Sequence, residues 1–112
     1  MDLNYFFSRN YNCINKMVVI KNPEMFVLKG FEKSHLEDKK YNALLKNKKT
    51  GKIRRIPFGC SSYEHFKDKT KIGLWSHKDH NDKKRRELYR IRHKGEDKKK
   101  FSSGYFSMKY LW

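Results

Sequence analysis

The sequence predicts a small single-domain α+β protein: a β-hairpin or three-stranded sheet, one basic α-helix, and aromatic arms at both ends. Three observations predict it. The length of 112 residues suits one domain. Two strand-like runs, "KKYNALLKN" and "GKIRRIPFG", are separated only by a Lys-Lys-Thr turn. One stretch, residues 82–94, has helical spacing between a capping aspartate and a terminating glycine.

Residues 1–22 read as an arm rich in aromatic and asparagine side chains, and residues 23–112 as the basic α+β domain. In the arm, Tyr5, Phe6, Phe7 and Tyr11 are candidate docking aromatics, for a partner or for the domain's own core. "MVVI" is long enough for a short strand, and Asn22-Pro23 then breaks the chain. "MFVLKGF" reads as a strand interrupted at Gly30. In the hairpin's second run, Lys52, Arg54 and Ile56 share one face while Ile53 and Arg55 share the other. Pro57 donates no ladder hydrogen bond, so that strand ends there or lies at an edge. Gly59 supplies an unusual backbone angle after it.

The connector "CSSYEHFKDKTKIGLWSHKDHND" carries Tyr63, Phe66, Leu74 and Trp75, which are expected to pin it to the core. Asn81 or Asp82 caps the helix, with Ser76 as an earlier rival, and Gly95 ends it in a left-handed conformation. Leu88 and Ile91 mark the expected inward stripe, and Arg85, Tyr89 and Arg92 a second one. The tail "FSSGYFSMKYLW" is too apolar to trail in water. Its Tyr110 and Trp112 are expected to pack on the hairpin and on the Leu88–Ile91 stripe.

Charge bounds the function. The net charge is +16, with 36% of residues charged and 37% hydrophobic. Self-repulsion on this scale favours an anionic partner. No apolar stretch approaches a membrane span, and the N-terminus lacks the pattern of a signal peptide. Cys13 and Cys60 have no metal or redox spacing and are expected to be separate thiols in a reducing compartment. The residues expected to bind an acidic partner or phosphate are Arg54, Arg55, Lys83, Lys84, Arg85, Arg86, Arg90, Arg92 and Lys94, because guanidinium groups suit bidentate contact with carboxylate or phosphate. Arg86 and Arg90, one turn apart, are the expected outward pair. The competing reading is a solvated helix face, with Arg85 and Arg92 paired internally to Asp79, Asp82 or the terminal carboxylate.

His77 and His80 stand three apart, with His65, Asp79, Asp82 and His93 nearby. A metal site needs a third and a fourth ligand in place, and the H-E-x-x-H pattern is missing. The sequence therefore assigns no catalytic residue, no metal and no cofactor, and a metal-dependent nuclease ranks third among the readings.

Taken together, "MFVLKGFEKS", "KKYNALL", "IPFG", "YEHFKDKT", "LWSHKDHNDKKRRELYRIRHKG" and "SSGYFSMKYLW" resemble a family of small basic proteins encoded by large DNA viruses of algae and protists, with shorter relatives in phages. The shared pattern is Phe58-Gly59, Tyr63, Asp82, Arg85, Tyr89, Arg92, His93, Ser102 to Gly104, Ser107 and Leu111-Trp112. This chain departs from it at Pro57, where a histidine commonly precedes the Phe-Gly pair. The resemblance implies a viral origin and no particular mechanism. The expectation is a non-enzymatic structural component of a virus particle, a minor capsid or core protein within a large assembly. It would bind viral coat proteins or nucleic acid, and reside in the virion, or in host cytoplasm or nucleus during assembly. A sequence-independent nucleic-acid-binding protein is the alternative.

Overall fold

The structure is a computed structural model that describes residues 18–112. Phe26–Lys33 forms β1, Lys39–Asn47 forms β2 and Ile53–Cys60 forms β3. They make one antiparallel sheet in the order β1-β2-β3. Two α-helices follow, α1 at Lys83–Arg92 and α2 at Ser103–Tyr110. The predicted small α+β fold is thus the observed one, with one helix more than expected. The docking aromatics Tyr5, Phe6, Phe7 and Tyr11 lie outside the described residues, as does Cys13. The backbone of the first described residue, Val18, exchanges hydrogen bonds with Ser103, and Ile20 is buried.

The hairpin forms where the spacing places it. Asn47 Oδ1 accepts from the Lys49 and Thr50 amides, and Gly51 takes the positive φ that closes the turn. Alternation then sorts the side chains. Tyr41, Ala43 and Leu45 of β2 share a face with Ile56 and Phe58 of β3, and all are buried. β1 adds Leu28 and Phe31 to that face, its register slipping at a bulge between Leu28 and Gly30. The opposite face leaves Val27, Ile53 and Arg55 exposed. There, buried Asn42 donates to Glu32 at 2.9 Å and accepts from Ser34 at 3.0 Å, and Arg55 reaches Glu32 at 2.8 Å. Pro57 is accommodated because β3 is an edge strand.

The tail is a helix, not an irregular segment. Ser102 caps it by accepting from the Tyr105 amide at 3.1 Å. Gly104 sits inside it because a Cβ there would lie 2.8 Å from Glu96 Oε2 in the preceding turn. From α2, Phe106 and Tyr110 lay aromatic rings on the sheet, with Tyr110 centred 4.6 Å from Phe31 and Phe106 5.5 Å from Phe58. Leu111 closes the core over Gly59, whose φ is +78°. A Cβ at Gly59 would stand 2.7 Å from Leu111 Cδ1. Cys60, at the end of β3, is disulfide-bonded, which corrects the expectation of a free thiol at this residue.

Gly59→Ala should therefore cost about 1–3 kcal/mol through overpacking and backbone strain. Adding Leu111→Ala removes the clash, so the two losses should be less than additive in urea unfolding. Strict additivity would show that Leu111 does not close on Gly59.

Candidate functional site

α1 begins where Asp82 accepts from the Lys84 and Arg85 amides at 3.0 and 3.2 Å and ends ahead of Gly95, which is left-handed as expected. Ser76 instead opens a single 3₁₀ turn. The face that α1 turns inward is not the expected one. Leu88 and Ile91 are 48% and 63% exposed. Tyr89 takes their place, stacking flat on Trp112 with ring centres 4.2 Å apart and planes 2° from parallel. His93 stacks on the other side of Tyr89 at 4.1 Å. The physical reason is the partner surface. The body offers α1 the rings of Trp112, which also contacts His80 at 5.2 Å, and a planar aromatic fits these better than a branched aliphatic. Burial, and then the Glu96 carboxylate, push the Tyr89 phenol well above its usual pKa, while Ser107 shares a hydrogen bond with it. The tail thus packs on α1 as predicted in kind, but through Tyr89 and not through Leu88 and Ile91.

The predicted cationic residues divide by position. Lys83, Lys84, Arg92 and Lys94 are exposed on α1 or just beyond it. Arg85 pairs with Glu64 at 3.1 Å, and not with the aspartates considered for it. The expected outward pair is partly engaged: the Arg86 guanidinium lies 4.3 Å over the Phe66 ring, and Arg90 donates to the Trp112 backbone oxygen at 3.0 Å. Arg54 and Arg55 are exposed on opposite faces of β3, remote in sequence from α1. Sequence reasoning missed Lys69, whose ammonium lies 5.8 Å from the same Phe66 ring. Its alternation with Lys67 about the buried-side Asp68 was the available signal.

Beneath α1 the connector is held by polar groups more than by the bulky residues expected to pin it. Trp75 does pack against the core and Phe66 is half-buried, but Tyr63 and Leu74 are exposed, at 36% and 49%. His65 is fully buried at 0% exposure and Lys40 nearly so at 1%. The Lys40 ammonium lies 2.8 Å from His65 Nδ1, and His65 Nε2 lies 2.5 Å from Asp79 Oδ1. Neutral His65 can accept from Lys40 and donate to Asp79, so it carries a hydrogen-bonded path between a cation and an anion. Beside this relay, Tyr41 donates to Asp68, which also accepts from Thr70 and from the Trp75 amide. Burial would raise the Asp68 pKa, but hydrogen bonds from Thr70, Tyr41 and Trp75 outweigh it and hold the carboxyl below its usual range. Lys40 and His65 are buried and Asp79 is partly exposed, and the relay fastens the segments around residues 65–69 and 78–81 to β2.

The remaining histidines have local roles. His77 stacks on Trp75. His80 accepts from the Asp82 amide at 2.9 Å, and His93 contacts Glu96 at 3.1 Å. Among the described residues no three His, Cys, Asp or Glu side chains are grouped to hold a metal, and no helix is long and apolar enough to cross a membrane. Comparison with known proteins finds no matching family model, no matching curated protein and no matching solved structure.

The relay makes stability depend on pH. Burial, reinforced by Lys78, lowers the Lys40 pKa from 10.5 to about 7. Between those values the unfolded chain holds a proton that the folded chain has released, so stability rises with pH across that window. Burial, and then Lys40, also lower His65 below 6.5, so stability falls as pH drops through that value. The melting temperature should climb from pH 5.5 to pH 10. Lys40→Met should flatten the part above pH 7, at an expected cost of about 1–3 kcal/mol for the orphaned His65 nitrogen. A variant that keeps the full slope would place the titration elsewhere.

Proposed function

We propose that this protein is a non-enzymatic structural component of a virus particle, a minor capsid or core protein that binds anionic surfaces of its assembly through α1. The viral setting rests on the sequence resemblance. The mode of action rests on one observation: α1 is fastened by Tyr89 while Leu88 and Ile91 stand outward among Lys84, Arg85, Arg92 and Lys94. Leaving two aliphatic side chains in water forgoes roughly 1.5–3 kcal/mol each. A partner recovers that energy on contact, and an anionic one also relieves the self-repulsion of a chain at +16. Apolar anchors within a cationic rim suit a coat-protein groove lined by acids.

A sequence-independent nucleic-acid-binding protein is the second reading. It is favoured by Lys83, Arg86, Arg90 and Lys94, which recur along one flank of α1.

Particles of the encoding virus should contain the chain in multiple copies by quantitative mass spectrometry. Leu88→Ser with Ile91→Ser should change monomer stability by no more than about 0.5 kcal/mol, as for exposed sites, yet reduce incorporation severalfold. Abundance in infected cells with absence from particles would overturn the proposal.

A further inference from the structure

We propose that the Lys83–Arg86–Arg90–Lys94 flank of α1, with Lys69 beside Arg86 and Arg90, is a seat for the phosphodiester backbone of nucleic acid. This rests on the reading of the protein as a binder of anionic surfaces, and it names the ligand of one particular face.

The cationic surface is drawn from two segments. The Lys67 amide donates to the Leu111 carbonyl at 3.0 Å and the Lys69 amide to the Tyr110 carbonyl at 2.8 Å, so this segment is fastened to the end of the α2 region. Residues two apart in extended backbone project to one side. Asp68 therefore turns in to Tyr41 and Thr70, and Lys67 and Lys69 are exposed. Beside Lys69, which Arg86 and Arg90 approach, α1 presents Lys83, Arg86, Arg90 and Lys94 at intervals of three or four residues, about one helical turn apart. An open groove of about 540 Å³ runs along this flank, lined by Lys83, Arg86, Glu87, Arg90, Ile91 and Lys94. The Phe66 ring underlies the junction, with Arg86 at 4.3 Å and Lys69 at 5.8 Å.

Arg90 donates to the Trp112 backbone oxygen at 3.0 Å, but the nearby carboxylates are largely engaged elsewhere. Glu64 is taken by Arg85 and Asp68 by Tyr41, Thr70 and Trp75. Among the described residues the groove wall carries one carboxylate, Glu87. Lys69 registers the crowding: burial, then Arg90, Arg86 and Lys67, lower its ammonium pKa. A single carboxylate would satisfy one position in such a row, whereas a linear polyanion meets successive positions. Arg86, lying over Phe66, keeps the edge of its guanidinium available for two parallel bonds to one phosphate. The contacts are all to backbone charge, so binding is independent of base sequence.

The test uses the full chain, fluorescein-labelled mixed-sequence DNA as duplex and as single strand, and anisotropy across a salt series. Lys67→Ala with Lys69→Ala should weaken binding roughly tenfold and reduce the salt slope by about 0.9 per lost duplex contact. Lys48→Ala with Lys49→Ala, an equal charge change at the exposed hairpin tip, should weaken it no more than about threefold. Equal losses in the two variants would mean bulk charge and overturn the groove. Competition by poly-glutamate as effective as by unlabelled DNA would overturn the phosphate assignment and leave the anionic-surface reading standing. Failure to bind either polyanion at physiological salt would overturn both.

Discussion

The stacking of Tyr89 on Trp112 decides what this protein shows to its surroundings. Trp112 follows Leu111, which is locked over Gly59, and α2 is laid on the sheet by Phe106 and Tyr110. The stack carries that order outward to α1. An aromatic pair contributes about 0.5–1.5 kcal/mol beyond the area it buries, and Tyr89 gathers a second ring, His93, and a hydrogen bond with Ser107. With one inward face so occupied, the aliphatic and cationic faces of α1 have nowhere to go but out. An α1 anchored by Leu88 and Ile91 would instead bury its only apolar stripe and offer a partner charge alone.

A second constraint lies under the connector. A chain with a large excess of positive charge nevertheless buries a lysine, whose ammonium is pushed toward the neutral form by burial, and links it through His65 to Asp79. Replacing such groups by hydrocarbon is often neutral or stabilising in other proteins. Here the relay offers what hydrocarbon does not, since its directional bonds fix which backbone segments lie side by side: the His80 amide on the His65 carbonyl at 3.0 Å and the Asn81 amide on the Phe66 carbonyl at 3.0 Å. That register sets where Asp82 starts α1, and therefore where Tyr89 falls relative to Trp112.

Much of this was legible in the sequence, and the reasons for the rest are physical. The hairpin, the edge position of Pro57, the positive φ at Gly59 and the Asp82 cap follow from local rules that no distant contact opposes. The inward face of α1 did not follow, because residue spacing ranks Leu88 and Ile91 above Tyr89 and is silent on the ring that Trp112 brings from the end of the chain. α2 was hidden by Ser103 and Gly104, poor helix formers whose use is explained by Val18 and Glu96 pressing against them. The relay was hidden because Lys40, His65 and Asp79 are far apart in sequence and ordinarily face water. Several residues of the sequence pattern have structural roles on this same frame: Asp82 as cap, Arg85 on Glu64, Tyr89 on Trp112, Ser102 as cap and Leu111 on Gly59. They hold α1 and α2 in place.

The central claim is that the free monomer presents Leu88 and Ile91 to solvent because Tyr89 is stacked on Trp112. Hydroxyl-radical footprinting of the monomer, read by mass spectrometry residue by residue, tests it directly. Leu88 and Ile91 should be oxidised nearly as fast as in the unfolded chain, with Tyr89 strongly protected. Trp112→Ala should raise Tyr89 oxidation and leave the core residues Phe58 and Phe106 protected. Protection of Leu88 and Ile91 in the monomer, with Tyr89 open to solvent, would contradict the account.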